Sequence, residues 1–134
     1  MTAQLPDFKL GFGICYDMRF PRLANVLANA GASVLTYPAA FTVPTGQAHW
    51  HVLLRSRAIE TGSFVLAAAQ GGTHDSGRAT FGHSIAISPW GEILAEAGTE
   101  PQVLVLEIDP AQSVATRARI PALVHARDFA LKQA

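Results

Sequence analysis

The residue whose chemistry stands out is Cys15, the only cysteine in the chain. A lone thiol in an apolar stretch is by default a small buried hydrophobe, but its position argues for more. Phe8-Lys9-Leu10-Gly11-Phe12-Gly13-Ile14-Cys15 reads as a strand that ends at the cysteine, and Pro21 stands where a first helical turn would begin. Ligands of open α/β sheets bind at the carboxyl ends of strands, so the thiol sits where a substrate would arrive. The backbone amide of Tyr16 would then point to where an oxyanion develops. Attack by a thiol needs a base or a neighbouring cation that makes the thiolate. Histidine is the usual partner, and five are available: His49, His51, His74, His83 and His125. Each of them, taken singly, is more simply a solvated or structural hydrogen-bonding group. None stands at metal-ligand spacing with a second thiol or carboxylate, so no metal site is expected.

Other polar groups near the cysteine have plainer readings. Asp17 and Arg19 offer either an ion pair that holds the turn or a helix cap from Asp17. Arg55-Ser56-Arg57-Ala58-Ile59-Glu60 reads as a solvated helix face on which Glu60 pairs locally. Gly71, Gly72 and Gly77 lack the Lys-Ser/Thr ending of a phosphate loop.

The elements that must position the thiol follow from hydrophobic periodicity. Strands are expected around 9–15, 33–37, 63–69, 81–88, 92–96 and 103–108, and helices near 21–30, 46–60 and 110–119. The two glycines of the first strand predict a close backbone approach there. Leu23, Val26, Leu27 and Ala30 recur at helical spacing before Gly31, and Trp50, Leu53, Leu54 and Ala58 form one stripe before Gly62. In 81–88 the alternation places His83, Ile85 and Ile87 on one face, while Gly71–Arg78 reads as a flexible loop. Asp109-Pro110 predicts an N-cap followed by proline at the first helical position. The alternating order at the start predicts an α/β sheet with helices on one face. The β-rich remainder predicts a second face that needs covering.

Composition bounds the partners. At 134 residues there is room for one domain, and 49% apolar with 15% charged residues supports a packed core. Ten basic and ten acidic side chains cancel, which removes the electrostatic ground for a nucleic-acid or anionic-membrane partner. No apolar stretch approaches the roughly 20 residues of a membrane span, and Met1 to Lys9 has no signal-peptide pattern. A single thiol fits a reducing compartment, so a cytoplasmic protein is expected.

The run Gly13-Ile14-Cys15-Tyr16-Asp17-Met18-Arg19-Phe20-Pro21 resembles the nucleophile motif of the nitrilase, or carbon–nitrogen hydrolase, superfamily. The likeness continues through Thr36 to Phe41, Thr45 to Trp50, Arg55 to Thr61, Gly82-His83-Ser84 and Ser88-Pro89-Trp90-Gly91. It covers about Leu10 to Phe129. Cys15-Tyr16-Asp17-Met18-Arg19-Phe20 looks like the ω-amidase and deaminated-glutathione amidase branch, and Ala58 to Thr61 with Ala67 to Gln70 is most similar to the latter.

The resemblance implies a four-layer α-β-β-α sandwich of which residues 1–134 supply the C-terminal half, as one partial domain. It implies hydrolysis of a small linear carboxylate-bearing amide through a thioester, with no cofactor and a homo-oligomeric assembly. Cys15 would be the nucleophile and the Tyr16 amide an oxyanion donor, with Ala39, Ala40 and Phe41 lining the pocket. Arg22 and His51 depart from the family, which usually has glutamate at the first position and often at the second. The larger departure concerns the catalytic set. The family's glutamates and lysine precede its cysteine, whereas the fourteen residues before Cys15 hold no glutamate and one lysine, Lys9. At about 3.3 Å per residue Lys9 is about 20 Å away along the strand, and Lys132 has no motif context. The isolated chain is therefore expected to be inactive. A non-catalytic remnant or an association half-domain is the alternative, with a Cys–His hydrolase using His49 or His83 behind it.

Overall fold

The computed structural model describes residues 1–130. A six-stranded mixed sheet has the order β1-β2-β3-β4-β7-β8, formed by β1 (Thr2–Gln4), β2 (Lys9–Phe12), β3 (Val34–Thr36), β4 (Phe64–Ala67), β7 (Ile85–Ile87) and β8 (Ile93–Glu96). β2, β3 and β4 run parallel, while β1, β7 and β8 extend the sheet antiparallel at its two sides. The parallel strands are joined by α1 (Pro21–Asn29) and α2 (Val43–Thr61), which pack on each other and on the sheet. A parallel pair requires such a crossover, and two in succession make one helical layer. A hairpin of β5 (Gly71–Thr73) and β6 (Ala79–Phe81) leans on α2, and α3 (Ala111–Arg119) and α4 (Ala122–His125) close the chain.

The core lies between sheet and helices. Register aligns Gly11, Leu35 and Val65 across β2, β3 and β4, and Val65 with Ile87 of β7. Leu35, Val65 and Ile87 are completely buried and cluster with Trp50, Leu54 and Ala58 of the expected α2 stripe. Gly11 explains the first predicted close approach: a Cβ there would stand 2.8 Å from Leu35 Cδ2 and 3.0 Å from Leu27 Cβ. The α2 helix ends at Gly62, whose φ of 57° is left-handed and suits glycine. Arg117 of α3 then stitches this end of the fold. It donates to the carbonyls of Thr61 (2.9 Å) and Ala32 (2.6 Å) and to Ser63 Oγ (2.8 Å).

This is an α/β fold in which one main sheet carries one helical layer. The opposite face of the sheet is apolar. Phe12, Thr36, Leu66 and Ala86 border an open cavity of about 570 Å³ there, together with Leu104 and Leu106. Residues 103–108, expected as a strand, are not one. Val103 and Val105 are 84% and 91% exposed while Leu104 and Leu106 lie half-buried on the open face. The alternation is real, but no strand among the described residues lies beside it to complete a ladder.

Other boundaries moved for local reasons. The first strand ends at Phe12, three residues short of the cysteine. The α2 helix starts at Val43, earlier than the Pro/Thr/Gly-rich segment predicted, because proline is tolerated in a first turn. The segment 81–88 breaks between β6 and β7, where Gly82 (φ 71°) and His83 (φ 60°) turn the backbone. His83 therefore leaves the face shared by Ile85 and Ile87. Residues 71–78, expected as a loop, form β5 and the turn that leads into β6. Asp109 does cap α3: its Oδ1 accepts the Ala111 N–H at 2.9 Å. No helix among the described residues is long and apolar enough to cross a membrane.

Candidate active site

Cys15 opens a 3₁₀ turn, Cys15–Arg19, just beyond the carboxyl end of β2. Its φ is 47°, a left-handed value that is costly for a side chain bearing a Cβ. Strain of this kind persists only where surrounding bonds over-determine it. Here the Cys15 N–H donates to the Pro38 carbonyl at 2.8 Å, and the Gly13 N–H to that of Thr36 at 3.0 Å. Asp17 holds the turn from the other side. Its Oδ2 accepts the Ile14 N–H at 3.0 Å while its own N–H donates to the Ile14 carbonyl at 2.9 Å. Of the two readings of Asp17, capping is the observed one. Arg19 turns instead to His49 Nδ1 (3.3 Å), with its guanidinium over the rings of Tyr16 and Phe41.

Two buried groups fasten this turn to the core. Gly13 sits directly on the Tyr37 ring, and a Cβ there would overlap it. Tyr37 is itself completely buried, and its hydroxyl has no hydrogen-bond partner among the described residues. Burial pushes its phenol up to about 12, only partly opposed by Arg57. Arg57 is the second fastening. It was expected on a solvated face, yet only 5% of it is exposed. Its Nε donates to the Met18 carbonyl at 2.9 Å, and the rest of the guanidinium pairs with Glu60, which keeps the local pairing expected of that glutamate. The i, i+3 spacing to Glu60 was visible in the sequence; the reach to Met18 was not.

The thiol opens on a cavity of about 570 Å³ bordered by Ile14, Pro38, Ala39, Ala40, Gln70 and Ser84 together with alanines of the β4 end. Ala39 and Ala40 thus stand beside Cys15. Phe41 is turned into the core, edge-on to Trp50 at 5.2 Å, and does not border this cavity. The Tyr16 N–H makes no hydrogen bond among the described residues, and the Tyr16 side chain is exposed. Gln70 and Ser84 were not singled out from sequence as site residues. Both lie within segments that carry the family resemblance, and the Ser84 hydroxyl fixes Ala69 by accepting that residue's N–H at 2.9 Å.

No charged side chain borders the cavity among the described residues. Lys9 is tied to the Ala30 carbonyl at 2.9 Å, at the far end of β2, and Lys132 lies outside the described residues. Four of the five histidines are engaged elsewhere. His49 meets Arg19, His74 Nε2 meets Thr80 Oγ1 at 2.8 Å, and His51 and His83 both meet Glu96. At Glu96 burial works against the charge, but the two imidazole hydrogen bonds outweigh it and hold the carboxyl below its usual range. No histidine borders the cavity with Cys15 among the described residues, so no Cys–His pair is assembled there.

A strained cysteine at a strand end, set in an α/β sheet with one open face, defines the class to which such a site belongs. The carbon-nitrogen hydrolase family profile matches residues 1–118, and this chain is a member of that family. It is 48% identical over 122 residues to the deaminated glutathione amidase of Homo sapiens, covering 91% of this chain and 37% of that protein. The crystal structure of the C. elegans NitFhit protein superposes with a TM-score of 0.86 at 43% identity, covering 89% of this chain and 29% of the other. A mutant amidase from Nesterenkonia sp. AN1, with acrylamide added at its active-site cysteine, superposes with a TM-score of 0.73 at 28% identity, covering 90% and 47%. The chain thus spans well under half the length of the curated relative.

Proposed function

We propose that this chain carries the nucleophile of a cysteine-dependent carbon–nitrogen hydrolase acting on a small linear amide that bears a carboxylate, and that it is inactive on its own. The observation that carries the reading is the left-handed Cys15 (φ 47°) at the head of a fastened turn, opening on a cavity bordered by no other strong nucleophile among the described residues. The Cys15 thiolate attacks the amide carbonyl carbon, forming a C–S bond while the carbonyl electron pair moves to oxygen. The Tyr16 N–H, which makes no hydrogen bond among the described residues, stabilises that oxyanion. Collapse breaks the C–N bond, the nitrogen takes a proton and leaves as ammonia or an amine, and water hydrolyses the thioester. Ala39 and Ala40 line the substrate's path. Phe41 backs this wall from the core by its packing on Trp50.

The proton donor and the cation that favours the thiolate are not among the described residues around the cavity. They belong to the glutamates and lysine that the family resemblance places ahead of the cysteine. General acid–base help is worth about 10²–10⁴-fold, and members of a catalytic unit are not additive, so their lack costs nearly as much as removing the thiol. The single thiol favours cytoplasmic work, and the apolar open face favours a homo-oligomer or another covering surface.

The test is complementation. The chain alone should show no turnover of ω-amides, deaminated glutathione included. Co-expression with the glutamate- and lysine-bearing half of a related amidase should restore hydrolysis that Cys15→Ala abolishes. Turnover by the chain alone that vanishes in Cys15→Ala would overturn the incomplete-site argument. Restored turnover that survives Cys15→Ala would overturn the nucleophile. The second reading, a non-catalytic association half-domain, is favoured by the same uncharged cavity; it predicts binding of the complementary half without recovery of activity.

A further inference from the structure

The cluster formed by His51, His83 and Glu96 has no part in the chemistry at Cys15. His51 Nε2 and His83 Nδ1 both lie 2.8 Å from Glu96 Oε1, and the three ligand-type atoms are all within 4.8 Å of one another. We propose that these residues form a binding site for a divalent transition metal of the zinc type.

The ligand chemistry supports this. Two imidazole nitrogens and one carboxylate oxygen are the set found in open zinc sites, where solvent or another group completes a tetrahedron. Imidazole also selects this class of ion over calcium or magnesium, which take oxygen ligands. With metal–ligand distances of about 2.0–2.2 Å, ligand atoms in a tetrahedron stand about 3.3 Å apart. The carboxylate oxygen withdraws by about 0.5 Å from each ring, and the two imidazole nitrogens, within 4.8 Å of each other, close toward the same spacing as the ion replaces the two shared protons.

Placement supports it too. The ligands come from three separate elements: His51 from the middle of α2, His83 from the turn between β6 and β7, and Glu96 from the end of β8. His83 is held on both sides of its backbone. Its N–H donates to the Gly98 carbonyl at 3.0 Å, and its own carbonyl accepts Trp50 Nε1 at 2.8 Å. Its ring stacks on Phe81 with centroids 4.2 Å apart. Its φ of 60° is a second left-handed, non-glycine residue in the chain, and that conformation directs the ring out of the strand face. A ligand fixed in this way loses little freedom on binding. The three side chains remain 28–33% exposed, which leaves the ion a path from solvent.

Zinc titration of the purified chain, followed by chelator competition, is expected to give one ion per chain. His51→Gln, His83→Gln and Glu96→Gln should each weaken binding by at least about 10-fold. His49→Gln and His74→Gln, whose rings face Arg19 and Thr80, should leave it unchanged. Cobalt should give tetrahedral d–d absorption without a thiolate charge-transfer band, alike in the unaltered chain and in Cys15→Ala. Zinc should raise the thermal midpoint of the unaltered chain but not of Glu96→Gln, a nearly isosteric change at an exposed position. The proposal is overturned by any of three results: no saturable binding, affinity retained in Glu96→Gln, or binding lost in Cys15→Ala.

Discussion

Tyr37 is buried directly beneath the cysteine turn without a hydrogen-bond partner among the described residues, and replacing it with phenylalanine separates two effects of that hydroxyl. At neutral pH an unsatisfied buried hydroxyl costs about 1–3 kcal/mol. Tyr37→Phe removes the hydroxyl and keeps the ring against Gly13. We expect the variant to be more stable at pH 7, by about 1 kcal/mol. At alkaline pH the effect grows. The phenol is pushed up from its ordinary 10.0 to about 12 in the folded chain. An acid whose folded pKa is raised loses its proton first in the unfolded chain, so stability falls as pH climbs from the unfolded to the folded value. The loss is about 1.4 kcal/mol at pH 11 and approaches about 2.7 kcal/mol above pH 12. Urea unfolding of both proteins at pH 7 and across roughly pH 9–11.5 measures both effects, because lysines titrate alike in the two and cancel in the difference. The gap between the curves should widen with pH by the stated amounts. If Tyr37→Phe is destabilised by more than about 1 kcal/mol at pH 7, the hydroxyl has a partner and the burial argument is wrong. A gap independent of pH would refute the raised phenol.

Three further outcomes follow from packing. Gly13→Ala drives a methyl group into the Tyr37 ring and should cost about 1–3 kcal/mol in urea unfolding while changing the alkylation rate of Cys15, because the turn must shift. Unchanged stability and labelling would mean that the turn is not held as described. Arg117→Ala removes the guanidinium bonds to the Thr61 and Ala32 carbonyls, leaves them only the longer Ser63 Oγ contacts, and should lower stability by about 1–3 kcal/mol, read from the unfolding midpoint at constant m-value. The open face around Phe12, Leu66, Leu104 and Leu106 should drive self-association, visible as concentration-dependent sedimentation. A compact monomer throughout the micromolar range would count against it.

Periodicity made most of the architecture legible. The α2 stripe of Trp50, Leu54 and Ala58 is buried because a helical repeat of apolar residues has only one way to face a core. The short apolar strands between Pro and Gly markers became β3 and β4, shifted by a residue or two. Where the reading failed, it failed on partners. Residues 103–108 alternate like a strand, but a strand exists only as part of a ladder, and no neighbour stands beside them among the described residues. The glycine-bearing segment 71–78 looked like a loop because weak strands are decided by the strand opposite, here β5 against β6.

The site divides along the same line. Sequence alone determined that there is one thiol, that it follows an apolar segment with two glycines, and that Asp17 and Pro21 shape the turn after it, because caps, breakers and glycine contacts act within a few residues. It also determined the family, through motifs distributed along nearly the whole chain. Tertiary structure alone decided the rest. It brought Arg57 back to the Met18 carbonyl across 39 positions, placed Gln70 and Ser84 beside Cys15, and turned Phe41 inward. It also joined His51 and His83 to Glu96, which stands 45 and 13 positions away along the chain. Side-chain hydrogen bonds and ligand geometry are short-range in space but carry no period along the chain, so only the folded arrangement of α2, β7 and β8 can bring such groups within reach of one another.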